Sequence, residues 1–297
     1  MSLSPTERRN PATTEIDRLP TLDVLRLINT EDHKVAPAVL AVLPAVAEAV
    51  DLAVAALHAG HRMHYFGAGT SGRLAVLDAA ELQPTYGAGA GLVAAHIAGG
   101  PPALLTAAEG AEDDEALGAA AAVAVRPGDI AVGASASGTT PYVAGALRAA
   151  RTAGAATVLI SANPSAPLAG LADVHIAVDT GPEAITGSTR MKAGTAQKLV
   201  LNALSTAVMV RLGRTYSNLM TDMVASNTKL RARQVRLLTQ ATGLDEQACT
   251  AALAAADGEP KVALVSLLAQ ASPAAARRAL ARTSGIVHAA LTALRDA

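Results

Sequence analysis

Residues 35–59, VAPAVLAVLPAVAEAVDLAVAALHA, repeat Val and Leu at spacings of three and four and stop at Gly60, which predicts an amphipathic helix closed by a glycine. Pro37 falls in its first turn, where a missing N–H costs little, whereas Pro44 is interior and predicts a kink or an earlier break. The pattern then changes. Short apolar runs recur at 62–66 (RMHYF), 91–97 (GLVAAHI), 129–134 (DIAVGA), 156–160 (ATVLI) and 173–178 (DVHIAV), separated by Ala-rich stretches of helical length. Runs too short for helices that alternate with helices predict a doubly wound α/β fold, a parallel sheet covered on both faces.

Three of these strands lead into loops of small and hydroxylated residues: GAGTSG at 67–72, SASGTT at 135–140 and TGPEAITGSTR at 180–190. In an open parallel sheet a ligand sits beyond the carboxyl ends of the strands, so the loops are expected to converge on one site. Residues 191–212 read as a mostly buried helix and 216–240 as a half-exposed one. The tail reads as three or four short helices, broken at Asp257-Gly258-Glu259-Pro260, at Ser272-Pro273 and at Ser284-Gly285.

Composition narrows the chemistry. Hydrophobic residues make up 51% of the 297, but aromatics only 2%, with no Trp and a single Phe, so the core is aliphatic and the usual platform for stacking single-stranded nucleic acid is missing. A net charge of −1 gives no field for nucleic acid or an anionic membrane. The single cysteine, Cys249, excludes an intrachain disulfide and any CxxC site, in keeping with a reducing compartment. The first twenty residues are polar and lack a signal-peptide core, and apolar runs are interrupted before about 18 residues, the length a membrane span needs. A cytoplasmic protein with no membrane partner is expected.

Gly67, Gly69 and Gly72 have the G-x-G-x-x-G spacing of a dinucleotide loop, but the following strand, GLVAAHIAGG, lacks the acid that would hold a ribose. A tight packing turn remains open, as does a phosphate loop in which backbone N–H groups and the hydroxyls of Thr70 and Ser71 meet an anion at a helix start. Ser135, Ser137 and Thr140 before Pro141 repeat the arrangement, and equally suit a helix cap without a ligand. Ser188, Thr189, Arg190 and Lys192 place two hydroxyls and two cations at a third helix start, with Glu183 the odd acid. Glu81 and Asp78 share the otherwise apolar LAVLDAAEL, where a carboxylate needs a cavity or a partner unless it lies on the solvated face. Glu112 lies in the acidic run EGAEDDE, a pattern that is usually an exposed helix start. The histidines form no HxH or HxxxH pair, so no metal site and no cofactor are expected.

These segments together resemble the N-acetylmuramic acid 6-phosphate etherases of the sugar isomerase (SIS) superfamily, relatives of the glucokinase regulatory protein. The resemblance runs through TERRNPATTEID, INTEDHKVAPAV, YFGAGTSGRLAVLDAAELQPTYG, EGAED, SGTTPYV, GPEAITGSTRMKAGTAQKLVLNALST and NLMTDMVASNTKLRARQV. It implies a SIS fold and cleavage of the lactyl ether of a sugar phosphate, with a base removing the proton at carbon 2, lactate leaving carbon 3 and water adding back. The family's two catalytic glutamates fall on Glu81, implied to be the acid, and Glu112, the implied base. Thr70, Ser71, Ser137, Thr140, Ser188, Thr189, Glu183 and Lys192 are the implied substrate ligands. The chain departs from the family pattern at Ala80 (usually Ser), Ser135 (usually Ala) and Thr139 (usually Arg). The implied organisation is an N-terminal arm and helix over 1–52, a SIS domain over 53–216, and a helical region over 217–297 with a three-helix module, similar to a ubiquitin-associated domain, from about 236. The implied assembly is a homodimer. A sugar-phosphate regulator without catalysis is the alternative, and an aldose–ketose isomerase is a weaker one.

Overall fold

The computed structural model describes residues 4–89, 91–223 and 228–296. After three single 3-10 turns between Pro5 and Arg18, helix α1 spans Thr21–Asp32, α2 Val35–Ala41 and α3 Leu43–His58. The break between α2 and α3 is the one that Pro44 demands: the helix ends at Ala41, restarts with Pro44 in its first turn, and bends by 58°.

Strands and helices then alternate up to β4, which a 3-10 turn, Pro167–Leu171, joins to β5: β1 Met63–Gly67, α4 Gly69–Tyr86, β2 Val93–Ile97, α5 Glu115–Ala121, β3 Ile130–Ala134, α6 Pro141–Thr152, β4 Ala156–Ser161, β5 Val174–Ala177 and α7 Lys192–Arg211. All four pairings are parallel, in the order β2-β1-β3-β4-β5, so the expected doubly wound sheet is present and each strand lies within two residues of its expected place. Alternation decides which face each residue meets. Phe66, Ala131 and Leu159 turn one way, into a cluster with Tyr142, Val143 and Leu147 of α6. Tyr65 turns the other way, and its hydroxyl donates to Asp78 of α4.

The chain divides into two compact units, residues 1–80 with 91–205, and residues 81–90 with 206–297. In the second, a two-stranded antiparallel hairpin, β6 Thr215–Tyr216 and β7 Leu219–Met220, occupies ground that the sequence pattern assigns to helix. Five helices follow: α8 Thr228–Thr242, α9 Glu246–Ala255, α10 Pro260–Ala269, α11 Pro273–Arg282 and α12 Val287–Arg295. Among the described residues the tail beyond Asp245 holds four helices, the upper of the two counts that its breaks allow, and three of the four carry a start signal. Asp245 and Ser272 accept N–H bonds from Ala248 and Ala275, and Pro260 and Pro273 open their helices. Leu238, Cys249, Val262, Leu264, Ala276 and Ala290 form their shared core. Among the described residues no single helix is long and apolar enough to cross a membrane.

Candidate functional site

The strand order reverses between β1 and β3, the topological switch point at whose carboxyl end ligands bind in open parallel sheets. The loops 67–72 and 135–140 are the continuations of those two strands. In the first, the glycines serve close approach: a Cβ on Gly72 would lie 2.6 Å from the Gly67 carbonyl and 2.6 Å from the Ile97 side chain. The start of α4 can therefore press against the end of β1. Thr70 is half-buried in the first turn. Ser71 is buried, and its hydroxyl donates to Gln197 Oε1 of α7 at 2.8 Å, so it ties two helices together where the sequence reading has it facing an anion. The amide nitrogen of the same Gln197 is buried and has no hydrogen-bond partner.

The second loop is braced within itself. Ser135 is buried, shares a 2.8 Å hydrogen bond with the Thr140 hydroxyl and accepts the Gly138 N–H at 3.0 Å. The hydroxyls of Ser137 and Thr139 lie 2.7 Å apart, and Asn163 Nδ2 donates to the Ser137 carbonyl. Thr140 occupies the N-cap of α6 without using its side chain to cap, and Pro141 opens the helix. Thr139, where the resemblance has an Arg, is exposed and holds this hydroxyl network.

At the third loop the structure places two of the expected ligands in the interior. Glu183 is fully buried, and its two oxygens accept the N–H groups of Lys192 (3.0 Å) and Ala193 (2.9 Å), capping α7. Burial pushes its carboxyl upward, against the pull of those two N–H bonds. Lys192 is 1% exposed, and its Nζ donates to Glu31 Oε2 of α1 at 2.6 Å. Neither group is presented to a ligand: a buried carboxylate and a buried ammonium each need a partner inside the protein, and the cap and Glu31 supply them. The N-terminal arm pins the same loop, with the Gly187 N–H donating to the Thr6 carbonyl and Asn10 Nδ2 to the Pro182 carbonyl. Ser188 and Thr189 remain half-buried at the loop's end.

The two carboxylates of the α4 motif divide between core and solvent. Asp78 is the buried one. Its Oδ1 accepts from Asn202 Nδ2 (2.6 Å) and Ser205 Oγ (3.0 Å), and its Oδ2 from the Tyr65 hydroxyl (3.1 Å). Burial raises its pKa, opposed by those three donors. Glu81 is exposed, so the apolar setting that suggests a desolvated acid belongs to Asp78.

Glu112 lies in a 3-10 turn, Ala111–Asp113, entered through Gly110 in the left-handed region, and Asp114 caps α5 behind it. It lines a pocket of about 210 Å³ with Ala68 and Gly69 at the start of α4, and with Arg73, Glu109 and Gly110. The structure thus brings Glu112 to the loop after β1, and Glu81 is not among the pocket's residues. Arg73 and Gln197 carry no signal in the pattern beyond lying one residue after Gly72 and on the buried helix.

His64 and His96, single in the sequence, stack across neighbouring strands with ring centres 5.5 Å apart, and His64 Nε2 lies 3.4 Å from Asp129. Burial holds the imidazoles low, His96 at about 4. Among the described residues no group of three His, Cys, Asp or Glu side chains is placed to hold a metal ion.

Residues 45–151 match the family model of the glucokinase regulatory protein N-terminal SIS domain, and residues 106–207 match the SIS domain. A solved structure of a candidate phosphosugar isomerase involved in capsule formation, from Bacteroides fragilis, shares the fold. Its TM-score is 0.51 at 20% identity, over 65% of this chain and 91% of the other. The N-acetylmuramic acid 6-phosphate etherase of Thermobifida fusca is 62% identical over 89% of this chain and 87% of its own length. That of Pectobacterium atrosepticum is 54% identical over 96% and 95%, and that of Symbiobacterium thermophilum 57% over 89% and 88%. At such identity across nearly the whole length, the chain belongs to the N-acetylmuramic acid 6-phosphate etherase family.

Proposed function

We propose that this protein is an N-acetylmuramic acid 6-phosphate etherase, a carbon–oxygen lyase of amino-sugar recycling in the cytoplasm. The observation that carries the reading is Glu112, set in a pocket that opens on the first turn of α4 at the switch point of the sheet. The phosphate is held by the backbone N–H groups and hydroxyls of the two loops, with Thr70, Ser137 and Thr140 as side-chain donors. The unpartnered Gln197 amide beside Ser71 is a further donor for the sugar phosphate.

In the open-chain aldehyde the carbonyl acidifies the proton on carbon 2. Glu112 takes that proton, the electron pair closes a double bond between carbons 2 and 3, and the lactyl oxygen leaves carbon 3 carrying a proton from Glu81. Water then adds at carbon 3, its proton returns to carbon 2, and the products are N-acetylglucosamine 6-phosphate and D-lactate. No metal is required in these steps, since the two carboxyl groups carry the protons that the elimination and the addition move.

Glu81 is exposed and does not line the pocket of Glu112, so the acid that meets Glu112 is assigned to a second copy of the chain. The enzyme is then a homodimer in which the partner's surface supplies the desolvation an acid needs. Release of D-lactate from N-acetylmuramic acid 6-phosphate, read with a coupled D-lactate dehydrogenase, tests the reading. Glu81→Gln and Glu112→Gln each lower kcat by about 100- to 10,000-fold. Mixing the two variants after dissociation restores about a quarter of the parent rate, because half the dimers then carry one intact composite site. Sugar-phosphate binding without lactate release by the parent would make the protein a regulator, the alternative that the glucokinase regulatory protein match favours. Failure of the mixture to recover would place both glutamates in one chain.

A further inference from the structure

Arg73 is a cation in an unusual place. It follows the first turn of α4, and because helical side chains lean toward the N-terminus, its head returns over the positive end of the helix dipole. A cation gains nothing from the helix there. Its Nε donates to the Leu104 carbonyl at 3.2 Å and its Nη2 to the Thr106 carbonyl at 3.3 Å. Both partners are neutral, and no carboxylate among the described residues forms an ion pair with it. The two carbonyls fix the plane of the guanidinium and leave three of its five N–H donors unused. It lines the pocket that contains Glu112, and the stretch it braces, 104–106, leads into the Glu109–Glu112 turn.

We propose that Arg73 is the positioning residue for the lactyl carboxylate of the substrate, holding the leaving group beside the base. This rests on the etherase reading. The pocket, about 210 Å³, is smaller than the roughly 300 Å³ or more of a whole small-molecule site, so it takes one end of the sugar phosphate. That end is fixed by Glu112, which must reach the proton on carbon 2. The lactyl carboxylate, attached through one oxygen and one carbon to the neighbouring carbon 3, is closer in bonds to that proton than the phosphate on carbon 6. A forked guanidinium with two adjacent free N–H edges pairs bidentately with a carboxylate. The pairing also offsets the repulsion that an anionic substrate meets from Glu109 and Glu112.

The test compares two ligands that share the phosphate and differ in the lactyl group, N-acetylmuramic acid 6-phosphate and N-acetylglucosamine 6-phosphate. Arg73→Ala is expected to raise KM for the first by about 10- to 100-fold. Arg73→Lys, which keeps the charge and loses the fork, recovers only part of that. Binding of N-acetylglucosamine 6-phosphate, measured by calorimetry, stays within about twofold of the parent in both variants, which also shows that they fold. Equal weakening of both ligands would overturn the proposal and make Arg73 a phosphate ligand or a support of the loop, as would an unchanged KM in Arg73→Ala. If the parent binds the lactyl compound but releases no lactate, the etherase reading fails. The calorimetric ratio of the two ligands then decides the role of Arg73 separately: loss of the preference in Arg73→Ala supports it, and a retained preference overturns it.

Discussion

Lys192 and Glu31 are 161 residues apart and each 1% exposed, and their 2.6 Å ion pair joins the start of α7 to α1. Lys192→Met removes the ammonium and leaves the carboxylate in the interior with Lys34, whose side chain is 54% exposed, on its other oxygen. Breaking one side of a buried pair costs about 3–5 kcal/mol, and the surviving Lys34 contact favours the lower end, about 3 kcal/mol. For a chain of this size that is a fall in Tm of roughly 6–12 °C. Glu31→Met combined with Lys192→Met deletes both charges and is expected to recover most of the loss, since replacing a buried pair by apolar groups is nearly neutral. Burial pushes the Glu31 carboxyl upward, but Lys192, Lys34 and Asn10 outweigh it and hold the group below its ordinary 4.5. The folded pKa lies below the unfolded one, so this stabilisation is present above pH 4.5 and is lost as pH falls through the folded value. The parent must therefore lose Tm in acid more steeply than the double variant. Thermal unfolding followed by circular dichroism, across pH 3–7, measures both effects. Should Lys192→Met melt within about 2 °C of the parent while its KM for the sugar phosphate rises, Lys192 would be a substrate ligand and the structural assignment would be wrong.

Two further perturbations address the buried contacts of α4 and of loop 135–140. Asp78→Asn keeps an acceptor for Asn202 and Ser205 and is expected to cost about 1–2 kcal/mol at neutral pH, whereas Asp78→Leu orphans three donors, the buried Tyr65 and Ser205 among them, and costs about 3 kcal/mol or more. Because the folded pKa of Asp78 lies above its ordinary 3.8, the parent's advantage over Asp78→Asn is complete below that value. It declines as pH rises through the folded pKa, a trend read from urea midpoints against pH. Gly138→Ala sets a Cβ at φ +68, 2.3 Å from the Ala166 methyl, and should lose about 2 kcal/mol of stability by thermal melting. Calorimetry with N-acetylglucosamine 6-phosphate should show weaker binding as loop 135–140 shifts, and unchanged binding would remove that loop from the phosphate site.

The sheet is legible in the chain because buried parallel strands read as short continuous apolar runs, and the loops that follow β1 and β3 are legible because glycines and hydroxyls cluster there. The β6–β7 hairpin is not, since two-residue strands are too short to display an alternation. Nor is the fate of individual charges. Arg190 and Lys192 stand two residues apart at one helix start, yet Arg190 is exposed and Lys192 is buried, and what separates them is Glu31, supplied from a helix early in the chain. Glu183 is legible as an odd acid among cations and hydroxyls, but not as a cap, because a cap is defined by the two N–H groups that reach it.

The pair Asp78 and Glu81 shows how far a motif alone can carry a mechanism. Three residues apart on a helix they are neighbours on its surface, and periodicity gives either one the apolar side. What decides between them is the donor set waiting in the fold: Tyr65 from β1 and Asn202 and Ser205 from α7 can satisfy a carboxylate at position 78. A buried carboxylate with three donors is costly to move and fixes the rotation of α4 about its axis. That rotation carries Glu81 outward to the surface, where it can act only on something brought to it. The exposure of Glu81 is thus set by a neighbour three residues earlier, whose own carboxylate is spent on donors inside the fold.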